Sequence, residues 1–316
     1  VKAKRVPYIV EPEMLRQLAK EKGYLIMAHN YQIPELQRIA DFVGDSLQLA
    51  RQAAETDAEK ILFLGVDFMA EMVKALNPEK KVVVPVLCAT CPMANSLTED
   101  EIAKAKEKYD APFVVYVNST AKTKFLADYL CTSANAVDVV RNVPSDTILF
   151  GPDKNLASYV AEKTGKCVIP IPGEFGYCHV HNFVTAEQVL RKLEKYHDAE
   201  VMVHPEVPEQ VRRLAHFVGS TAQMEKYPMA SSSKIFIVVT EVGMVEKLRR
   251  LYPDRTFVTI DSMVCYNMKK NNLRNTYRAV LNDAPEVKLD ERLAEKIRKL
   301  VEDMLKLTIS TQESKK

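Results

Sequence analysis

Pro172-Gly-Glu-Phe-Gly-Tyr-Cys178-His-Val-His181-Asn-Phe183 follows an apolar run and holds the cysteine around which the whole chain is spaced. Cys91 lies 87 residues before Cys178, and Cys265 lies 87 residues after it. Each follows a stretch that reads as a buried strand: Val82-Val83-Val84, Cys167-Val168-Ile169 and Thr256 to Ile260. Seven residues beyond each cysteine comes a helix start, at Thr98, Thr185 and Asn272. Thr98 with Glu101, and Thr185 with Gln188, have capping-box spacing, in which hydroxyl and acid or amide satisfy each other's orphan backbone amides. A period of 87 residues is too long for a solenoid repeat and suits a small α/β domain. The pattern reads as three copies of one unit, each delivering one thiolate to a shared centre.

Around these anchors helices and strands alternate. Strands are expected at Tyr24–Ala28, Ile61–Leu64 and Val82–Val84, at Phe113–Val117, Ile148–Phe150 and Cys167–Ile171, and at Glu200–Val203, Ile235–Val239 and Thr256–Ile260. Unbroken helices are expected over Pro34–Ala54, Ala121–Leu130 and Pro208–His216, and a long charged helix over Asp290–Leu307 packs back on the first unit. The expected fold class is α/β: three αβα sandwich domains related by a pseudo-threefold, with short parallel sheets around a central active site. Their spans are 1–90, completed by a helical segment 266–316, then 91–178 and 179–265.

Composition narrows the function. The 316 residues are 47% hydrophobic, enough for several cores, and 44 Lys plus Arg nearly cancel 42 Asp plus Glu. No charge excess points to nucleic acid or a membrane surface, and no apolar run approaches the roughly 20 residues of a spanning helix. The N-terminus shows no secretory pattern, and six spaced cysteines suit metal or catalysis in a reducing cytoplasm.

The period recurs away from the cysteines. After the first strand of each unit stand His29-Asn30-Tyr31-Gln32, Tyr116-Val117-Asn118-Ser119 and His204-Pro205-Glu206. Seventeen residues beyond His29, Tyr116 and His204 lie Ser46, Ser133 and Thr221, in the turns Gly44-Asp45-Ser46, Cys131-Thr132-Ser133 and Gly219-Ser220-Thr221. One such hydroxyl is an ordinary helix cap. Three in phase with the cysteines read as a polar pocket for a small anion, beyond the carboxyl ends of the strands. A cubane [4Fe-4S] cluster on three thiolates keeps one iron without a protein ligand, a Lewis acid suited to losing water. Cys88 breaks the phase, Cys131 and Cys167 read as packing residues, and His179, His197 and His216 fit no phase.

The residues also resemble the quinolinate synthase (NadA-type) family nearly end to end. The likeness rests on Ala28-His29-Asn30-Tyr31-Gln32, Gly44-Asp45-Ser46-Leu47-x-Leu49-Ala50, Gly65-Val66-x-Phe68-Met69-Ala70-Glu71, Cys91-x-Met93-Ala94 and Tyr116-Val117-Asn118-Ser119. It continues through Cys178-x-x-His181, His204-Pro205-Glu206, Gly219-Ser220-Thr221 and Cys265-x-x-Met268-Lys269. The resemblance implies a transferase- or dehydratase-type condensation in NAD biosynthesis. Iminoaspartate and dihydroxyacetone phosphate give quinolinate with loss of phosphate and two waters. It implies a [4Fe-4S] cluster on Cys91, Cys178 and Cys265 with one iron open, and functional coupling to an aspartate-oxidising enzyme. The alternative is another cluster-dependent hydro-lyase acting on a small dicarboxylate.

Carried over by residue, the family puts His29, Ser46, Ser133, His181, Ser220 and Thr221 around substrate carboxylate or phosphate. Tyr31, His204 and Glu206 are the expected proton-transfer groups, while Tyr116 and Asn118 orient the intermediate. Two positions depart from the family's pattern. Asp261-Ser262-Met263-Val264 has no cysteine, so no disulfide switch is expected before Cys265, and Asn95 stands where Asp is common.

Overall fold

Helices that cover a sheet on both faces bury its strands along their length, and the apolar runs of this chain take that form. A computed structural model describes residues 6–313. The chain divides into two compact units, one of 1–91 with 265–295 and the other of 92–264 with 296–316.

In the first unit, β1 (Tyr24–His29), β2 (Phe42–Gly44), β3 (Lys60–Leu64) and β4 (Lys81–Val83) form a parallel sheet in the order β2-β1-β3-β4. The second unit holds two such sheets. One contains β5 (Phe113–Tyr116), β6 (Tyr129–Cys131), β7 (Thr147–Gly151) and β8 (Cys167–Pro170) in the order β6-β5-β7-β8. The other contains β9 (Glu200–Val203), β10 (Phe217–Val218), β11 (Ile235–Val239) and β12 (Thr256–Thr259) in the order β10-β9-β11-β12. Each is a four-stranded parallel sheet flanked by helices, an αβα sandwich, and strand order and connection are the same in all three.

Sequence reading supplied three strands per unit, and each sheet has a fourth. The expected helix Pro34–Ala54 is two helices, Pro34–Ile39 and Ser46–Ala54, with β2 between them. Likewise β6 takes the end of the expected helix Ala121–Leu130, and β10 follows a helix cut to Glu209–Arg212. All three short strands pair in equivalent registers: Ala28 opposite Val43, Val115 opposite Leu130, Val203 opposite Val218.

A side chain pins each of them to the first strand of its sheet. The Asp41 amide donates to Ile26 O (2.8 Å) and its carboxylate accepts from the Ile26 amide (2.8 Å). Asp128 makes the same pair with Phe113 (3.0 and 2.8 Å). In the third sheet the position holds His216, whose amide donates to Val201 O (2.9 Å) while Nδ1 accepts from the Val201 amide (3.0 Å). His216 is therefore in phase after all. Its ring does an aspartate's work, and a search restricted to identical residue types passes over it.

The expected caps are present. Thr98 with Glu101 and Thr185 with Gln188 form reciprocal boxes, and the Asn272 side chain accepts from the Asn275 amide (2.9 Å). Helix Leu273–Asn282 contributes Ala279 and Val280 to the core of the first sheet. The last helix, Glu291–Glu313, contains the boundary between the units. Within the second unit Asn135 Nδ2 donates to Thr308 Oγ1 (3.1 Å) and Asn142 Nδ2 to Leu307 O (3.0 Å), which anchors the helix's far part beside β6. No helix among the described residues is long and apolar enough to cross a membrane.

Candidate active site at the carboxyl ends of the strands

Parallel strands direct their carboxyl ends to one edge, where backbone groups stop pairing and loops carry chemistry. The first strand of each sheet leads to His29 and Tyr31, to Tyr116 and Asn118, or to His204 and Glu206. The second strands lead to Ser46, Ser133, and Ser220 with Thr221. The fourth strands lead to Cys91, Cys178 and Cys265. These residues therefore occupy strand-end positions repeated in each sheet.

None of the six cysteines is in a disulfide. Cys91, Cys178 and Cys265 are half-buried, Cys88 and Cys167 are exposed, and Cys131 is buried. Burial pushes the Cys131 thiol far up, which fits a packing residue; Cys167, also read as packing, instead faces solvent. Each half-buried cysteine lies in a loop held two residues before it by the backbone after the third strand. Asp67 N donates to Ala89 O (2.9 Å), Lys154 N to Gly176 O (2.8 Å), and Val242 N to Met263 O (3.0 Å). Asp67 Oδ1 accepts from the Cys91 amide, and Asp153 Oδ2 from the Cys178 amide, both at 3.0 Å. Asp153 also caps helix Lys154–Thr164 through the Leu156 amide (2.7 Å). Burial, and after it the charge of Glu206, pushes the Asp153 carboxyl well up against the pull of its amide partners. At Gly176 a Cβ would stand 2.0 Å from Pro152 O, so only glycine lets the Cys178 loop lie this close to the end of β7.

The second unit assembles a buried acid–imidazole cluster from two sheets. Glu206 Oε2 lies 2.9 Å from His181 Nδ1 and 3.4 Å from His204 Nδ1, and Oε1 accepts from Asn118 Nδ2 (3.3 Å). Asn118 also donates to the Tyr116 hydroxyl (3.0 Å). His181 Nδ1 is 3.2 Å from Cys178 Sγ, its Nε2 is 2.8 Å from Thr240 Oγ1, and its ring packs on His204 with centroids 4.9 Å apart. Asn155 fixes the backbone by donating to Glu206 O (3.0 Å).

Electrostatics set the charges. Burial alone would raise Glu206, but the His204 and His181 imidazoles and the Tyr116 hydroxyl outweigh it and hold the carboxyl at about 2. Burial lowers His204 to about 4 despite the attraction of Glu206. Near neutral pH, with His204 uncharged, the donors His181, Tyr116 and Asn118 are what stabilise the carboxylate. Because His204 Nδ1 accepts the Glu206 amide (3.3 Å), the neutral ring carries its proton on Nε2.

In the first unit His29 repeats that arrangement: its Nδ1 accepts the Tyr31 amide (3.1 Å), and the two rings meet edge to face at 4.7 Å. The segment after Cys265 is tied to three strand ends. Lys269 Nζ donates to Tyr31 O (2.6 Å), Lys270 Nζ to Cys88 O (2.7 Å) and Asn271 Nδ2 to Gly65 O (2.8 Å). Ser46 and Thr221 open their helices, but the caps are the preceding Asp45 and Ser220. Ser133 stands half-buried in the turn before helix Ala136–Asn142.

Sequence reasoning passed over Asp67, Asp153, Asn155 and Thr240. Asp67 and Asp153 carried a signal, falling one residue out of the 87-residue phase. Thr240 and Asn155 carried none, since their partners are distant in the chain.

The family model described as "Quinolinate synthetase A protein" matches residues 13–306. The quinolinate synthase of Thermotoga maritima is 58% identical over 292 residues, 92% of this chain and 97% of the relative. That of Thermococcus onnurineus is 50% identical over 296 residues, 93% of this chain and 97% of the relative. That of Pyrococcus horikoshii is 46% identical over 298 residues, 94% of this chain and 98% of the relative. With the family model matching most of the chain and relatives 46–58% identical along it, the chain belongs to the quinolinate synthase family.

Proposed function

We propose that the protein condenses iminoaspartate with dihydroxyacetone phosphate to quinolinate, releasing phosphate and two waters, as a step in NAD biosynthesis. The observation that carries this reading is the buried Glu206 carboxylate facing two imidazoles beside Cys178. Atoms balance without an external oxidant: the condensed carbon–nitrogen skeleton becomes aromatic by losing water and phosphate alone. An aspartate-oxidising enzyme is the proposed source of the imine. The reducing cytoplasm suits a chain with half-buried and exposed thiols.

The donor set fits a [4Fe-4S] cluster. Three half-buried thiols follow the fourth strands of three sheets, whereas a structural zinc site would ask for a fourth ligand. Cys91, Cys178 and Cys265 are the proposed ligands. When bound, the cluster supplies a Lewis acid, an iron without a protein ligand, suited to the departure of hydroxide.

The chain's own residues handle the protons and the anions. Glu206, ionised at neutral pH, is the proposed base that accepts carbon-bound protons during isomerisation and enolisation. Neutral His204 offers Nε2–H as a donor to a carbonyl or hydroxyl oxygen. Tyr31 is the third proposed proton-transfer group, its backbone fixed between His29 and Lys269. Tyr116 and Asn118 orient the intermediate while donating toward Glu206. His29, Ser46, Ser133, His181, Ser220 and Thr221 are the proposed hosts of carboxylate and phosphate. The three sandwiches are proposed to be repeats ending at the three cysteines, spanning 1–90, 91–178 and 179–265.

The test is anaerobic turnover. Aspartate, an aspartate oxidase and dihydroxyacetone phosphate should yield quinolinate only with the reconstituted protein. Hydration or dehydration of a simple dicarboxylate, with no quinolinate formed, would establish the hydro-lyase alternative instead.

A further inference from the structure

Cys178 Sγ, His181 Nδ1 and a Glu206 carboxylate oxygen lie within 4.8 Å of one another. The imidazole stands between the other two, 3.2 Å from the sulfur and 2.9 Å from Oε2. Thiolate, imidazole and carboxylate form the mixed donor set of an open zinc site, in which ligand atoms about 2.0–2.3 Å from a tetrahedral ion stand about 3.4–3.6 Å apart. To reach that size the sulfur–imidazole and imidazole–carboxylate separations would widen by a few tenths of an ångström, while the sulfur and the carboxylate oxygen, within 4.8 Å, would draw together.

The surrounding bonds are those a metal site needs. A ligating histidine holds its ring by hydrogen bonding through the other nitrogen. His181 Nε2 has Thr240 Oγ1 at 2.8 Å, and a hydroxyl can donate or accept. Without an ion, Nδ1 faces Glu206 Oε2 and Nε2 faces the Thr240 hydroxyl. With one, the proton sits on Nε2 and the Nδ1 lone pair faces the ion, the ring staying in place. Glu206 is divided the same way: Oε1 is held by Asn118 Nδ2 (3.3 Å), leaving Oε2 for the ion. A half-buried thiolate and a buried carboxylate bring two negative charges that one divalent cation cancels.

We propose that the chain without its iron–sulfur cluster binds one zinc-like divalent cation on Cys178, His181 and Glu206, with water as fourth ligand. This is a site separate in composition from the three-cysteine set, sharing only Cys178 with it. Occupancy withholds Cys178 from cluster assembly and occupies Glu206 as a base. That consequence, unlike the binding itself, rests on the synthase reading.

Cobalt(II) serves as the probe, titrated anaerobically into full-length chain stripped of iron. The expected result is one cobalt per chain, with a thiolate charge-transfer band in the near ultraviolet and intense ligand-field bands of a tetrahedral site. Cys91→Ser and Cys265→Ser keep stoichiometry and spectrum, while Glu206→Gln and His181→Gln lose the bands. Thr240→Val keeps all three ligands and weakens binding by about 10–100-fold, the usual effect of removing such a supporting partner. Circular dichroism and thermal unfolding of each variant separate lost binding from lost fold. Failure of the unmodified chain to bind, or bands that vanish in Cys91→Ser yet survive in folded Glu206→Gln, overturns the proposal. Neither result bears on quinolinate formation by the cluster-loaded enzyme.

Discussion

Glu206 Oε2 stands 2.9 Å from His181 Nδ1, with 3% and 0% of the two side chains exposed. A carboxylate so enclosed persists only because donors surround it, and those donors come from the ends of several strands. Replacing it by an amide of the same shape keeps the packing and removes the base. Glu206→Gln should lower kcat by about 10²–10⁴-fold, the usual contribution of a positioned proton acceptor. Its unfolding midpoint should fall, because the depressed carboxyl shows that the fold favours the ionised form, and the amide gives up those charge-assisted bonds. Anaerobic kinetics with thermal unfolding checks this, and near-normal turnover would remove Glu206 from the chemistry.

His204 makes stability depend on pH. Unfolded imidazole takes up a proton near 6.5 and the buried ring only near 4, so between these values the unfolded chain binds more protons. Stability from this group is complete above the unfolded value and falls as pH drops toward 4, by about 3 kcal/mol in all. His204→Gln should flatten that part of the curve in urea unfolding between about pH 7 and pH 4.5. An unchanged slope would mean that the ring is already solvated.

How much of this was legible beforehand follows from where each signal lies. The cysteine spacing, the three capping sites and the strand-end clusters are local patterns repeated in phase, and all appear where expected. The second strands were hidden because β2, β6 and β10 are only two or three residues long, too short for a period. Their cause is a clamp from Asp41, Asp128 or His216 onto a strand 15 residues earlier. Val43 even sits at helical spacing with Leu36, Ile39 and Leu47, so pattern alone favoured the wrong element. Thr240 and Asn155 were missed for another physical reason: they act on His181 and on Glu206, which the chain brings to them only after folding.

Asp153 and Gly176 fix the Cys178 loop, one by accepting its amide and the other by close backbone approach. Asp153→Ala removes a helix cap as well, a loss of about 1–2 kcal/mol. Both Asp153→Ala and Gly176→Ala should lower iron bound per chain and speed its loss to a chelator. Asp153→Asn should fall between Asp153→Ala and the unmodified chain, since one of its two acceptor oxygens becomes a donor. Iron retention equal to the unmodified chain in all three would show that the loop needs no such support.

Asp283 ends helix Leu273–Asn282 in the left-handed region and ties it to the first sheet through Lys81, Lys60 and the Tyr24 hydroxyl. The Lys81 hydrogen bond first, then that from Tyr24, hold its carboxyl well below the usual range. The group therefore stabilises the fold above the ordinary carboxylate value, and that contribution is lost as pH falls through the depressed one. Asp283→Asn tolerates the backbone geometry and should cost about 1 kcal/mol at neutral pH, with the deficit shrinking in acid. Urea midpoints at both pH values test this; a deficit independent of pH would assign the loss to packing.

Everything proposed about catalysis depends on a cluster gripped by three thiolates with one iron left open. Mössbauer spectroscopy of anaerobically purified protein carrying isotopically enriched iron, with and without quinolinate, reads this directly. About four irons per chain should appear as one cubane, with a single iron site changing its parameters when quinolinate is added, and no cubane in Cys178→Ser. Four irons that ignore quinolinate, or an intact cubane in Cys91→Ser, Cys178→Ser and Cys265→Ser alike, would contradict the account.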